Sequence, residues 1–174
     1  MNQLLAFYLG TGTDHRGRTL AEILRQDDLW FEITHDFIQW LFPLNELSRA
    51  SLHAPLVDGA TLHAFQADPL LRDHMRASVG RFLRFLGLSF DGESLRPGPN
   101  WLKRRPEWFD TNTHNSLRVT RVLKSMTLLG LSAEAAKLAR EIAVSAPIAV
   151  QSTRWSLRQG LVEQIRSAVA REST

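Results

Sequence analysis

The chain has 174 residues, of which 44% are hydrophobic and 22% charged. This length and composition are typical of one globular domain and exclude an intrinsically disordered chain. There is no cysteine, which excludes a disulfide framework and a cysteine-ligated zinc site. The net charge of +3 includes 18 arginines against 3 lysines, which makes anionic partners worth testing.

Apolar stretches along the chain are short. The opening stretch MNQLLAFYLGTG has too short an apolar run for a signal peptide. No stretch approaches the ~18 apolar residues that a membrane span requires. We therefore expect a soluble, cytoplasmic protein without a transmembrane segment.

Apolar residues in the first half of the chain recur with the period of an α-helix, and no convincing strand alternation is present. Asp28 is the predicted cap of the third helix, and Asp58 of the fourth, because their carboxylates can accept hydrogen bonds from unpaired backbone amides. Asp68 and Pro69 are the cap and first residue of the fifth helix, which Gly87 ends. The predicted helices cover residues 2–9, 18–26, 28–42, 59–67 and 69–86.

The second half begins with a segment, 88–112, that contains three prolines and predicts one long ordered loop, held in place by Trp101 and Trp108. Further helices are predicted at 114–129, 133–145 and about 152–171. The sequence therefore predicts an all-α fold, a single compact helical domain over residues 1–174. It would contain about six to eight helices, the last of them within 132–171.

The third predicted helix contains HDFIQWLFPLNE, residues 35–46. As an unbroken helix to Phe42 it is apolar over more than half of its circumference, which is typical of a helix in the centre of a domain. His35 and Gln39 fall on the narrow polar strip that remains, where buried side chains need hydrogen-bond partners.

Metal chemistry is one alternative interpretation of that strip. The His35-Asp36 dipeptide also occurs in metal-dependent HD phosphohydrolases, which makes a metal-dependent hydrolase built on these two residues an alternative to a structural histidine. Glu32 and His35 form half of a di-iron signature, but no second Glu-x-x-His is present. Neither a Gly-x-Ser-x-Gly nucleophile nor a glycine-rich phosphate loop occurs. We assign no catalytic residue, metal ligand or cofactor.

A basic stripe marks the helix predicted at 114–129. Arg118, Arg121 and Lys124 recur at helical spacing, and a cationic stripe near Trp101 and Trp108 is what a nucleic-acid-binding domain would use. The alternative is a solvated helix face in which an arginine pairs with a carboxylate. No helix-turn-helix or RNA-binding signature decides between them.

Several segments together resemble a known family. They are Leu5-x-Phe7-Tyr8-x-Gly10, the block from His35 to Leu44, Ser48, Ala54-Pro55-Leu56, Phe85-x-Gly87, Asn100-Trp101, and the block from His114 to Ser125. In this order, over roughly residues 5–131, they resemble the conserved domain of the opioid growth factor receptor family. A stand-alone, arginine-biased chain looks more like a bacterial member than like the animal form with its long tail.

The resemblance implies a helical domain and a receptor-type role. Animal members are associated with binding a short enkephalin-type peptide and with control of cell proliferation, at the nuclear envelope and in the nucleus. No binding residues are carried over from the family. We therefore predict a non-enzymatic recognition module for a short peptide or protein partner, with nucleic acid as an alternative. The predicted ligand contacts are His35, Gln39, Trp101, His114, Asn115, Arg118 and Arg121; the two arginines would pair with a carboxylate or phosphate.

Overall fold

The structure is a computed structural model that describes residues 2–48, 51–108 and 114–145. The chain divides into two compact units, Met1–Arg81 and Phe82–Thr174. The helix predicted at 152–171 lies outside the described residues. The prediction of one domain over residues 1–174 stays a prediction.

Helices dominate the described residues. The first unit contains α1 (Gln3–Tyr8), α2 (Leu20–Arg25), α3 (Asp28–Ile33), α4 (Ile38–Leu41), α5 (Gly59–Ala67) and most of α6 (Pro69–Phe85). The second contains the end of α6, strands β1 (Leu88–Phe90) and β2 (Leu95–Pro97), α7 (Trp101–Arg104), a 3-10 turn (Arg105–Glu107), α8 (His114–Leu128) and α9 (Ser132–Ser145). The predicted all-α fold class is confirmed, with the helices more numerous and several of them shorter than expected.

Local capping explains where several helices begin. The Asp58 carboxylate accepts a hydrogen bond from the Thr61 backbone amide at 2.7 Å, as the sequence predicts for α5. At α2, Thr19 and Glu22 form a reciprocal capping box, which satisfies two amides that the helix leaves unpaired. The Thr19 backbone and hydroxyl donate to Glu22 and hold the pKa of its carboxyl below the ordinary value.

The predicted helix 28–42 is wrong, because the chain breaks after Ile33. Asp27 rather than Asp28 caps α3, Thr34 is extended, and only Ile38–Leu41 returns to helix. The break lets the rings of Phe31 and Phe37 pack with centroids 4.6 Å apart. In an unbroken helix, residues six positions apart would be about 9 Å apart along the axis and on different faces. The interpretation of this segment as one central helix therefore fails.

Aromatic side chains form the core of the first unit. Phe7 contacts both Tyr8 and Trp40 edge to face, with ring centroids 5.8 and 5.4 Å apart, and Tyr8 packs on Phe65 at 5.0 Å. The Tyr8 hydroxyl donates to the Leu41 carbonyl, and burial raises the pKa of this hydroxyl. The large side chains of the HDFIQWLFPLNE segment thus serve the core even without the long helix.

The prediction of a loop over 88–112 also needs correction. Its described part, residues 88–108, contains an antiparallel hairpin in which Leu88 pairs with Pro97 and Phe90 with Leu95, followed by α7 and the 3-10 turn. The Asp91 carboxylate closes the turn by accepting the backbone amides of Glu93 and Ser94. Three-residue strands are too short to show an alternating pattern, and their pairing depends on this turn.

Candidate functional site

An apolar cavity of about 230 Å³ lies in the second unit. Its lining comes from the hairpin, from α7 and the turn after it, and from α9. The lining residues are Leu88, Leu95, Arg96, Pro97, Trp101, Trp108 and Ile142. Among the described lining residues only Arg96 carries a charge, so the cavity favours an apolar group.

Trp101 reaches this cavity because the backbone before it is held against the end of α6. The Asn100 side-chain amide donates to the Arg84 carbonyl at 3.0 Å. Gly87 has φ +83°, and a Cβ atom there would lie 2.9 Å from the Trp101 Cα. Both the left-handed backbone and the close approach require glycine, so Gly87 helps to fix the position of Trp101.

Trp108 forms a second aromatic wall of the cavity, and both its indole nitrogen and its ring make contacts. Its indole Nε1 donates to the Leu86 carbonyl at 2.8 Å, and its ring meets that of Trp101 edge to face, with centroids 6.5 Å apart. Arg104 donates to the Phe85 carbonyl at 2.7 Å and lies over the Phe85 ring. These buried hydrogen bonds make the cavity walls rigid.

The hairpin side of the cavity is attached to α9. The Leu95 backbone amide donates to the Glu141 carboxylate at 3.2 Å, and Lys137 forms an ion pair with Glu93. These contacts place β2 beside Ile142. The cavity is therefore built from segments that are distant in sequence.

Helix α8 carries four of the predicted contacts in different environments. His114 is exposed, Arg121 is half-buried, and Asn115 is fully buried. Arg118 is only 6% exposed and donates to the Asn115 side chain at 3.1 Å. The predicted stripe is therefore not a continuous solvated basic surface, and this gives the nucleic-acid alternative no support.

The other two predicted contacts, His35 and Gln39, lie in the first unit. His35 is exposed and Gln39 is 4% exposed. With its amide oriented to donate, Gln39 meets the backbone carbonyls of Asp36 at 3.2 Å and His35 at 3.3 Å. Gln39 therefore holds the turn that precedes α4. Neither residue is among those that line the cavity of the second unit.

Asp36 is surrounded by cationic groups of the first unit. Its carboxylate accepts hydrogen bonds from Arg16 at 3.0 Å and Arg18 at 2.9 Å, and it lies 3.5 Å from His15 Nε2. Arg18 also pairs with the buried Asp14 at 2.6 Å. Partial burial acts to raise the pKa of Asp36, but the two arginines and His15 outweigh it and hold that pKa below its ordinary value.

Arg18 shows the complementary effect. Burial acts to lower its pKa, but Asp14 and Asp36 outweigh this and leave the pKa raised. The Asp36 carboxylate is thus engaged by two guanidinium groups, which gives the hydrolase alternative at His35-Asp36 no support. In the described part of the chain, no group of three or more His, Cys, Asp or Glu side chains is arranged to hold a metal ion.

Comparison with known proteins decides the family. Residues 5–173 match the family model described as "Opioid growth factor receptor (OGFr) conserved region". This chain belongs to the opioid growth factor receptor family. The match continues past the resembling segments, which end near residue 131, to residue 173.

Curated relatives of the family are much longer than the matched region. The chain is 32% identical over 111 residues to the opioid growth factor receptor of Mus musculus, covering 63% of this chain and 17% of the relative. The Homo sapiens protein is 30% identical over 112 residues, with 63% and 16% covered. The Mus musculus opioid growth factor receptor-like protein 1 is 29% identical over 135 residues, with 76% and 28% covered. The alignments thus span less than a third of these relatives, and no solved structure matches.

Several family signature positions have structural roles in this chain. Phe7, Tyr8 and Trp40 build the first core, while Gly87 and Asn100 position Trp101. None of the helices in the described ranges is long and apolar enough to cross a membrane. Of the ligand contacts predicted from the sequence, only Trp101 is among the residues that line this cavity. The lining residues of the hairpin were missed because the hairpin was missed, and Ile142 because α9 is distant in sequence. Trp108 was predicted to hold the 88–112 segment in place but was not among the predicted contacts.

Proposed function

We propose that this member of the opioid growth factor receptor family is a non-enzymatic recognition module that binds a short peptide. The apolar cavity of the second unit would receive one side chain of that peptide. The observation that carries the proposal is the pair of tryptophans, Trp101 and Trp108, in one cavity with a single charged lining residue. The matched relatives are named receptors, which supports recognition rather than catalysis.

The size of the cavity argues for a side chain rather than a whole small molecule. Pockets for drug-sized ligands typically have about 300–1,000 Å³, whereas this cavity has about 230 Å³. Aromatic walls are also typical of the residues that contribute most binding energy at interfaces. A peptide with one large apolar residue therefore fits this cavity better than a cofactor does.

Arg96 supplies the polar contact of the proposed site. Its side chain is 71% exposed, and its ion pair with Asp91 spans 3.6 Å. An exposed, solvent-screened ion pair of this kind stabilises a fold by little, so a peptide carboxylate can replace Asp91 at small cost. Arg96 thus takes the role that the sequence assigned to the arginines of α8.

We assign the remaining predicted contacts by their burial. Gln39, Asn115 and Arg118 are buried, and in our proposal they serve the fold. His35 and His114 are exposed and, with Arg121, stay predicted contacts for a partner.

Titration calorimetry with an enkephalin-type pentapeptide, and with pentapeptides selected from a displayed library, tests this proposal. Trp101→Ala should weaken binding about tenfold or more, because removal of an aromatic anchor typically costs more than about 1 kcal/mol. The neighbouring Leu102→Ala is the matched control, since Leu102 is 85% exposed and does not line the cavity. Equal losses in both variants, or no saturable binding of any peptide at millimolar concentration, would overturn the proposal.

A further inference from the structure

A second cavity, of about 350 Å³, lies in the first unit. It is lined by residues from the start of the chain, from the loop after α1, from α4 and from the segment before α5. The lining residues are Asn2, Gln3, Leu4, His15, Trp40, Leu52, His53, Ala54, Pro55 and Leu56. No acidic side chain is among them. We call this cavity the first-unit cleft.

Two buried nitrogens of the first-unit cleft have no hydrogen-bond partner among the described residues. One is Nε1 of Trp40, a side chain that is only 3% exposed, and the other is Nδ1 of His15. Buried polar groups are almost always paired in folded proteins, because an unpaired one keeps its desolvation cost. Two such atoms on residues that line one cleft indicate a place where a ligand would supply the partners.

Three rings of the cleft are arranged in a ladder. The rings of Trp40 and His15 are nearly parallel, with centroids 6.2 Å apart and planes at 16°. His53 continues the ladder beyond His15, at 5.3 Å and 14°. This stacking fixes the plane of the His15 ring.

The other nitrogen of His15 faces a carboxylate. Nε2 lies 3.5 Å from Asp36 Oδ2, so a proton on Nε2 faces this carboxylate. When the ring is doubly protonated, Nδ1 becomes a donor as well. Asp36 is itself held by Arg16 and Arg18, so it stays ionised beside the ring.

These donors define the chemistry of the ligand. An indole N–H donates and never accepts, so the ligand must bring an acceptor oxygen to Trp40. A carboxylate brings two, one for Trp40 and one for His15 when Nδ1 also carries a proton, and it meets no acidic side chain among the described lining residues. Leu4, Pro55 and Leu56 add apolar walls. We propose that the first-unit cleft binds a carboxylate attached to an apolar group, either the C-terminus of a peptide or a free carboxylic acid.

This site is independent of the peptide cavity in the second unit and is tested through its own signals. The protein has five tryptophans, so the Trp40 indole resonance is assigned in a nitrogen–proton spectrum by its loss in Trp40→Phe. N-acetyl-leucine should move this resonance saturably, whereas N-acetyl-leucinamide should not. Equal shifts with both compounds, or no shift with either, would overturn the proposed carboxylate site.

Two further probes distinguish the sources of the carboxylate. Tighter binding of a tetrapeptide ending in leucine than of 4-methylpentanoate would identify a peptide C-terminus. Equal or tighter binding of 4-methylpentanoate would identify a free acid. Either result supports the site, because the shared chemistry is the carboxylate beside an apolar group.

A variant of His15 tests one of the two donors of the cleft. His15→Phe keeps an aromatic ring but lacks Nδ1 and should weaken carboxylate binding about tenfold or more. His63→Phe is the matched control, since His63 is exposed on α5 and does not line the cleft. Unchanged binding in folded His15→Phe would contradict the proposal.

Leu52 provides a variant that does not depend on the core, because it is 99% exposed and lines the cleft. Leu52→Glu should weaken N-acetyl-leucine binding by like-charge repulsion, and Leu52→Lys should not. Equal affinity of these two variants would overturn the proposal even if His15→Phe fails to fold.

Discussion

Trp40 and Trp108 are both core tryptophans, but their indole N–H groups differ. Trp40 is 3% exposed and Trp108 is 1% exposed, and each lines a cavity of its own unit. Trp108 donates to the Leu86 carbonyl, whereas the Trp40 donor has no partner among the described residues. The Trp108 donor is thus used within its own unit, whereas the Trp40 donor is the one that we propose a ligand would pair in the first-unit cleft.

The largest expected effect is shared by the two tryptophans. Trp40→Ala and Trp108→Ala should each lower the free energy of unfolding by about 3–5 kcal/mol, because each removes a large buried side chain. Urea unfolding followed by far-UV circular dichroism measures both. A loss below about 1 kcal/mol for Trp40 would show that it is not a core residue.

A substitution at Gly87 tests how much the close approach of this residue to Trp101 contributes to stability. Gly87→Ala should lower the free energy of unfolding by about 2–4 kcal/mol. The alanine would be strained in the left-handed region, and its Cβ would also lie too close to Trp101. Gly92→Ala is the control, because Gly92 also has positive φ but no atom lies within 4 Å of its added Cβ. Gly92→Ala should lower the free energy of unfolding by only about 1–2 kcal/mol, through backbone strain alone. Equal costs in urea unfolding would show that the Trp101 contact is unimportant.

Substitution by phenylalanine compares what the indole N–H contributes to stability in the two tryptophans. Trp108→Phe leaves the Leu86 carbonyl without its donor, whereas Trp40→Phe removes a donor that has no described partner. Trp108→Phe should therefore be more destabilising by about 1–2 kcal/mol, measured by urea unfolding of both proteins in parallel. If Trp40→Phe loses as much stability, its indole N–H is paired within the protein, and the ligand role proposed for it fails.

The smallest effect concerns acid stability of the first unit. The pKa of Asp36 is lowered in the folded state, so its contribution is present above its unfolded pKa of about 3.9 and is lost as pH falls through the folded pKa. Asp36→Asn should therefore destabilise the protein at pH 7 by up to about 1 kcal/mol, because Asp36 is partly exposed. The effect should shrink as the pH falls below about 3.9, the unfolded pKa, and through the lowered folded pKa. Thermal melts across this pH range measure the difference, and an equal loss at both ends would contradict it.

The sequence predicts the helices whose signals are local. Asp58 marks the start of α5, and Gly10 and Gly87 follow α1 and α6, because caps and stops act within one turn. The break after Ile33 could not be predicted, since the packing of Phe31 on Phe37 that accompanies it is a contact made only in the folded unit. The hairpin was missed for a similar reason: its strands have three residues each.

The candidate sites were harder to predict than the fold, because their residues come from distant segments. His15, Trp40 and His53 meet only after the first unit has folded. Asn115 and Arg118 were predicted as ligand contacts, yet they are buried together on α8. A polar residue in a family signature therefore does not by itself mark a binding site.

The most direct test of peptide recognition is a titration of the five tryptophan indole signals with one pentapeptide, in free-acid and C-terminally amidated forms. Both forms should move the Trp101 resonance saturably, because its cavity binds an apolar side chain. Only the free acid should move Trp40, if the first-unit cleft binds peptide C-termini. A Trp101 signal that stays fixed at millimolar peptide in both forms would contradict recognition through the second-unit cavity.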